Sequence, residues 1–187
     1  QIDSSLLKQI FARIVGARLE SLSCACRMMM FTFGDCAIHV QSLARIINDG
    51  EILVTTRDYR SWDTGDENNN DEFFNIEKFK NQIVGGKILS VDIGVANDLK
   101  ISLDNGILIE IFNENGYAHF ADEQEQYRIF SVTGGDHIVV YNKHIEAVYF
   151  QGGGTRKNAR PARPFFVVFC NTVYTNSTDN TTRIWLK

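Results

Sequence analysis

Ile14-Val15-Gly16-Ala17-Arg18-Leu19-Glu20-Ser21 and, 69 positions on, Ile83-Val84-Gly85-Gly86-Lys87-Ile88-Leu89-Ser90 are two versions of one pattern, and they decide the fold. Upstream of the first lie Leu7, Ile10 and Ile14, and upstream of the second lie Ile76, Phe79 and Ile83. Both triplets have the three- and four-residue spacing of an amphipathic helix face. Each is followed by a glycine placed to stop the helix in a left-handed conformation. Further on, Leu99, Ile101 and Leu103 alternate with Lys100 and Ser102, Asp104-Asn105-Gly106 makes a turn, and Ile107, Ile109 and Ile111 alternate with Leu108 and Glu110. That is a β-hairpin signal. The first half offers Met28 to Phe33, Gly34-Asp35 and Ala37 to Val40 in the corresponding place, then the turn Asn48-Asp49-Gly50 against Asn113-Glu114-Asn115-Gly116.

The expected unit is therefore a helix followed by three or four antiparallel strands, used twice, over about residues 5–62 and 73–130. The aromatic closes are Tyr59-Arg60-Ser61-Trp62 and Tyr127-Arg128-Ile129-Phe130. Neither copy alone buries a convincing core, so the two are expected to pack as one domain. Between them, residues 63–72 contain no apolar side chain and read as an exposed loop. Ile138 to Tyr141 and Ile145 to Phe150 should add one more hairpin.

The chain has 187 residues, 44% hydrophobic and 22% charged, with 19 basic and 23 acidic side chains. No apolar run approaches the ~20 residues of a membrane helix. The first residues lack a signal-peptide layout, so a cytoplasmic location is expected. The net charge of −4 is a sum of opposites: residues 1–151 carry 13 basic and 22 acidic side chains, or −9, and residues 152–187 carry six and one, or +5. The seam is Gly152-Gly153-Gly154, followed by a flexible basic linker to residue 164 and by an apolar β-hairpin over residues 165–187. An isolated hairpin of that composition is marginally stable, so it is expected to complete a sheet of the body or to mediate self-association. The fold class is α+β and β-rich: two tandem helix-plus-strand repeats in residues 1–151, with a C-terminal hairpin completing a sheet.

Chemistry-bearing patterns are sparse. Cys24, Cys26, Cys36 and His39 have soft-ligand chemistry, but their spacing is not that of a zinc knuckle, and buried thiols are the better reading. His119 and Asp122 sit in a run of acids and glutamines that reads as a solvated loop. Met28, Met29 and Met30 lie on a strand, where alternation turns them to both faces, and core filling is expected. No catalytic residue, metal or cofactor is assigned, and the protein is not expected to be an enzyme. The basic arm with Phe165, Phe166, Phe169, Tyr174 and Trp185 has the makings of a single-strand nucleic-acid binder, but the −9 body would repel phosphate.

The layout of apolar helix, Ile-Val-Gly, strand, the hairpin Leu99 to Ile111 and the close Tyr127-Arg128-Ile129-Phe130 resembles small bacterial immunity proteins of contact-dependent growth inhibition and other polymorphic toxin systems. The resemblance spans about residues 5–150. It implies a non-enzymatic, cytoplasmic antitoxin that binds and neutralises a cognate protein toxin. A toxin that acts on polyanions is basic, and an acidic partner is steered to it. Asp63, Asp66, Glu67, Asp71 and Glu72, with Asp122, Glu123 and Glu125, are the candidate contact residues. The alternatives are a nucleic-acid-binding protein using the basic arm and a small enzyme whose site assembles only in space.

Overall fold

The computed structural model describes residues 5–25, 28–58, 71–114, 124–134, 137–150 and 181–185. Two helices and twelve strands follow in the order α1 (Ser5–Ile14), β1 (Leu19–Ala25), β2 (Met28–Phe33), β3 (Cys36–Val40), β4 (Leu43–Asn48), β5 (Glu51–Thr55), α2 (Asp71–Ile83), β6 (Ile88–Ile93), β7 (Leu99–Leu103), β8 (Ile107–Phe112), β9 (Glu125–Ser131), β10 (His137–Tyr141), β11 (Ile145–Phe150) and β12 (Thr181–Trp185). The fold is β-rich, with two antiparallel sheets.

Both helices form where the apolar spacing places them. On α1 the buried side chains are Leu6, Leu7, Ile10, Phe11 and Ile14. On α2, Ile76 and Ile83 are buried and Phe79 packs against the core. Gly16 (φ +86°) and Gly85 (φ +104°) then turn the chain, a conformation that costs glycine little. The hairpin turns follow the same logic. Asp49 and Gly50 both have positive φ between β4 and β5, and Gly106 does between β7 and β8.

The strands do not stay with their own half. The seven-stranded sheet runs β1-β2-β3-β9-β10-β11-β12, and the five-stranded sheet runs β5-β4-β8-β7-β6. β9 therefore pairs with β3, matching Ile129 to Ile38, while β4 pairs with β8, matching Ile46 to Ile109. This corrects the expectation that Tyr127 to Phe130 closes a unit: the segment is the middle of β9, at the centre of the larger sheet. At the other end of the molecule β1 and β6 meet through the bridge Arg18–Lys87. There Gly16 N donates to Ile88 O, Leu19 N to Gly86 O, Gly85 N to Leu19 O and Ile88 N to Ala17 O, all at 2.8–2.9 Å.

One continuous core joins the inner faces of both sheets and the apolar stripes of both helices, with α1 on β6 and α2 on β1 and β5. Tyr127 is fully buried in it. β12 pairs along β11, with Ile184 opposite Ala147, so the end of the chain adds a strand to the larger sheet. Residues 165–180, the rest of the expected hairpin, lie outside the described residues, as does the linker. No described helix is long and apolar enough to cross a membrane.

Candidate functional site

Because side chains alternate along a strand, each sheet has a second face turned away from the core. On the seven-stranded sheet that face is built from two cross-strand rows. Met30, His39, Arg128, Val139 and Glu146 follow one another across β2, β3, β9, β10 and β11. Beside them run Thr32, Ala37, Phe130, His137 and Val148. Met28, Met30, His39, Arg128, Phe130, His137 and Tyr141 are half-buried on it, whereas Met29 points inward and is fully buried. The methionine run thus divides: its middle member fills the core and its flanking members face outward.

Phe130 organises the centre of this face. The His39 ring meets it edge-on at 4.7 Å between centroids, and the His137 ring stacks on it at 4.8 Å and 13°. Tyr141 stacks on His144 at 4.6 Å. Burial pushes the pKa of both His39 and His137 down, and the Arg128 guanidinium adds to the effect. Arg128 is held by Glu125: its Nε donates to Oε1 at 2.6 Å and its Nη2 to Oε2. That hydrogen-bonded carboxylate raises the Arg128 pKa.

The corresponding face of the five-stranded sheet has a different chemistry. Asp92, Lys100, Glu110, Arg45 and Thr55 are successive cross-strand neighbours on β6, β7, β8, β4 and β5, a ladder of alternating charge. Arg45 Nε donates to Glu110 Oε2, and its guanidinium lies 5.2 Å from the centre of the Phe112 ring. Opposite charges set directly across strands stabilise one another.

The acidic residues singled out in the sequence do not form one surface among the described residues. Asp63, Asp66, Glu67, Asp122 and Glu123 lie outside them. Asp71 opens α2, and its side chain is outside the described set. Glu72, expected on an exposed loop, is instead in the first turn of α2 and has no solvent exposure. The helix starts inside the acidic run and carries Glu72 in against the sheet, where neither carboxylate oxygen has a hydrogen-bond partner among the described residues. Burial, then the charge of Asp58, raises its pKa to about 7. Asp58 itself accepts from Thr55 N at 3.2 Å and Asn75 Nδ2 at 3.1 Å. Glu125 lies at the border of the Phe130 face, engaged with Arg128.

Cys24 and Cys36 are free thiols on the inner side of the larger sheet. Burial, followed by the charges of Glu72 and Glu77, pushes Cys24 up to about 11, and burial with Asp35 pushes Cys36 up to about 12. Both are protonated and poorly nucleophilic at neutral pH. His39 projects from the face of β3 opposite to Cys36, so the two do not converge on one ion. Cys26 and the pair His119 and Asp122 lie outside the described residues. A groove of about 360 Å³ between α1 and β6 is lined by Phe11, Val15, Val91 and Ile93 together with Lys8 and Asp92.

Sequence reasoning missed the Phe130 face. The signal was present in part, because Met28 and Met30 share a parity, as do Arg128 and Phe130. The neighbour relations that bring them together depend on β9 joining β3. No family model, no curated protein and no solved structure matches the chain.

Proposed function

We propose that the protein is a non-enzymatic antitoxin of the immunity-protein kind, acting in the cytoplasm by binding a basic toxin domain encoded beside it. The observation that carries this reading is the charge of the body, −9 over residues 1–151. Such a surface steers and matches a cationic partner. The decisive experiment is co-expression with the toxin domain encoded immediately upstream: restored growth is expected, and continued killing with both proteins present sinks the proposal.

We also infer that the scaffold is two copies of one unit, α1–β5 and α2–β10, which exchange their last two strands. The supporting relations are reciprocal. Gly16 donates to Ile88 as Gly85 does to Leu19, and Leu19 donates to Gly86 as Ile88 does to Ala17. β1 is irregular between Leu19 and Ser21, as β6 is between Ile88 and Ser90. The second unit then extends past residue 130 to Tyr141, and the counterpart of β9 is β4.

A further inference from the structure

β6 is an outermost strand of the five-stranded sheet, so one of its edges has no neighbouring strand. Gly94 N donates to Asp98 O at 2.8 Å, and the register continues through Ile93–Leu99, Asp92–Lys100 and Val91–Ile101. Hydrogen-bonded and non-bonded pairs alternate along an antiparallel ladder, so Asp92 bonds to β7 while Val91 and Ile93 turn their N–H and C=O groups to the free edge. Ile88 has the same setting, but its N–H is taken by Ala17 O and its C=O by Gly16 N. Val91 and Ile93 have no such backbone partner among the described residues.

The groove of about 360 Å³ between α1 and β6 follows that edge. Its strand wall is the consecutive run Val91, Asp92 and Ile93, and its helix wall is the Phe11, Ala12 and Val15 stripe of α1. Val91 and Ile93 pack toward the core yet are only half-buried, and Val15 is 49% exposed, so the apolar flank of the core lies open here. A strand laid antiparallel along β6 hydrogen-bonds Val91 and Ile93, and its side chains opposite those two turn down onto the helix wall. The side chain between them joins the outward row Asp92, Lys100, Glu110, Arg45, next to Asp92. Asp92 is exposed and has no ion pair among the described residues, and unlike charges set directly across strands are favourable, so the next member of that row is a cation. Lys8, the other charged residue of the groove, stands on the helix wall, away from that row. β6 itself contains no basic residue, so a second copy laid edge to edge leaves Asp92 without one.

We propose that the edge of β6 and its groove against α1 bind an extended segment of a protein partner, with apolar, basic and apolar residues in succession, as an added antiparallel strand. The site goes beyond the antitoxin reading and does not require it, because the segment is defined by its pattern and not by its owner. The probe is a blocked heptapeptide, Gly-Thr-Val-Lys-Val-Thr-Gly, titrated to millimolar concentration into the full chain and followed by amide-resolved NMR. Saturable binding is expected, with the largest shifts at Val91, Ile93 and Val15. Glutamate in place of the peptide's lysine should weaken binding about fivefold, and Asp92→Lys should reverse that preference. N-methylation of both valines removes the donors that face Val91 and Ile93 and should abolish binding, whereas N-methylation of the lysine, whose N–H points away, should change it less than about twofold. The methylated peptides need no altered protein, so the folding of a variant does not enter. No binding of the lysine peptide, equal binding of its N-methyl-valine form, shifts confined to another sheet edge, or a charge preference indifferent to Asp92→Lys overturns the assignment and leaves the antitoxin reading untouched. A dimer of the free chain that the peptide dissociates would make the occupant a second copy. Nuclear Overhauser contacts from Val91 to residues 151–180 in the free chain would make it the chain's own C-terminal segment, and either result overturns the proposal too.

Discussion

The hydroxyl of Tyr127, on β9 of the larger sheet, donates to the carbonyl of Asn97 at 2.8 Å, in the β6–β7 connection of the smaller one. Tyr127 is fully buried, and Asn97 is buried with a left-handed backbone (φ 64°). Burial, helped by the charge of Asp98, lifts the phenol pKa well above its ordinary value, so the group stays a donor at every accessible pH. Replacing Tyr127 by Phe keeps the ring and orphans the Asn97 carbonyl. The expected cost is about 1–2 kcal/mol in urea unfolding with an unchanged m-value, and a smaller loss would mean that the bond does not tie the sheets.

Glu72 sets one arm of the pH dependence of stability. Its folded pKa of about 7 exceeds the ordinary 4.5, so between those values the folded state holds more protons than the unfolded state. Stability therefore falls as pH rises through that window and levels off above it. Glu72→Gln removes the ionisation and should stabilise the chain by about 2 kcal/mol at pH 8, with the gain disappearing below pH 4. Denaturation midpoints at pH 4, 6 and 8 test this, and a gain independent of pH would contradict it.

His39 and His137 act in the opposite sense. Their folded pKa values are depressed below 6.5, so the unfolded state takes up protons first as pH falls, and stability is lost below that value. The groups facing them are Arg128, Glu125 and each other. In a Glu72→Gln background, which removes the competing slope, His39→Gln with His137→Gln should flatten the decline between pH 7 and 5. A slope that persists unchanged would assign it to other groups.

Gly86 lies against the side chain that finishes α2. Asn105 Nδ2 donates to Gln82 O at 3.0 Å and Ile83 O at 3.2 Å, satisfying carbonyls that the helix end leaves open. A Cβ on Gly86 overlaps the Asn105 amide. Gly86→Ala should cost about 1–3 kcal/mol in the native background and far less when Asn105→Ala is already present. Equal costs in both backgrounds would show that this overlap is not the cause.

Local features of the fold were legible from the sequence, and its long-range pairings were not. Leu7, Ile10 and Ile14 announced α1, Gly16 and Gly85 announced the helix stops, and Asp104-Asn105-Gly106 announced the β7–β8 turn, because each signal sits within a few residues. Alternation placed the methionines on both faces, but the expected core filling holds for Met29 alone, because Met28 and Met30 share the outer parity of β2 and are half-buried there. But alternation fixes which face a residue takes and says nothing of which strand lies alongside. Nothing within β3 specifies β9, so the grouping of His39 with Phe130 and Arg128 was out of reach. Glu72 was misread for a related reason: an acidic run reads as solvent-facing, and only the start of α2 at Asp71 and its packing on β1 and β5 carry that carboxylate inward.

The exchange of strands between the sheets also governs how the chain is made. Ile38 on β3 has its partner Ile129 roughly ninety residues downstream, and Ile46 on β4 waits for Ile109. At about 5–20 residues per second, a ribosome needs some 5–20 s to deliver β9 after β3 has emerged. During that interval the first half presents two unsatisfied strand edges and an uncovered apolar face. Its yield in a cell should therefore depend on translation speed and on chaperone capture of the nascent first half more than on the stability of the finished molecule.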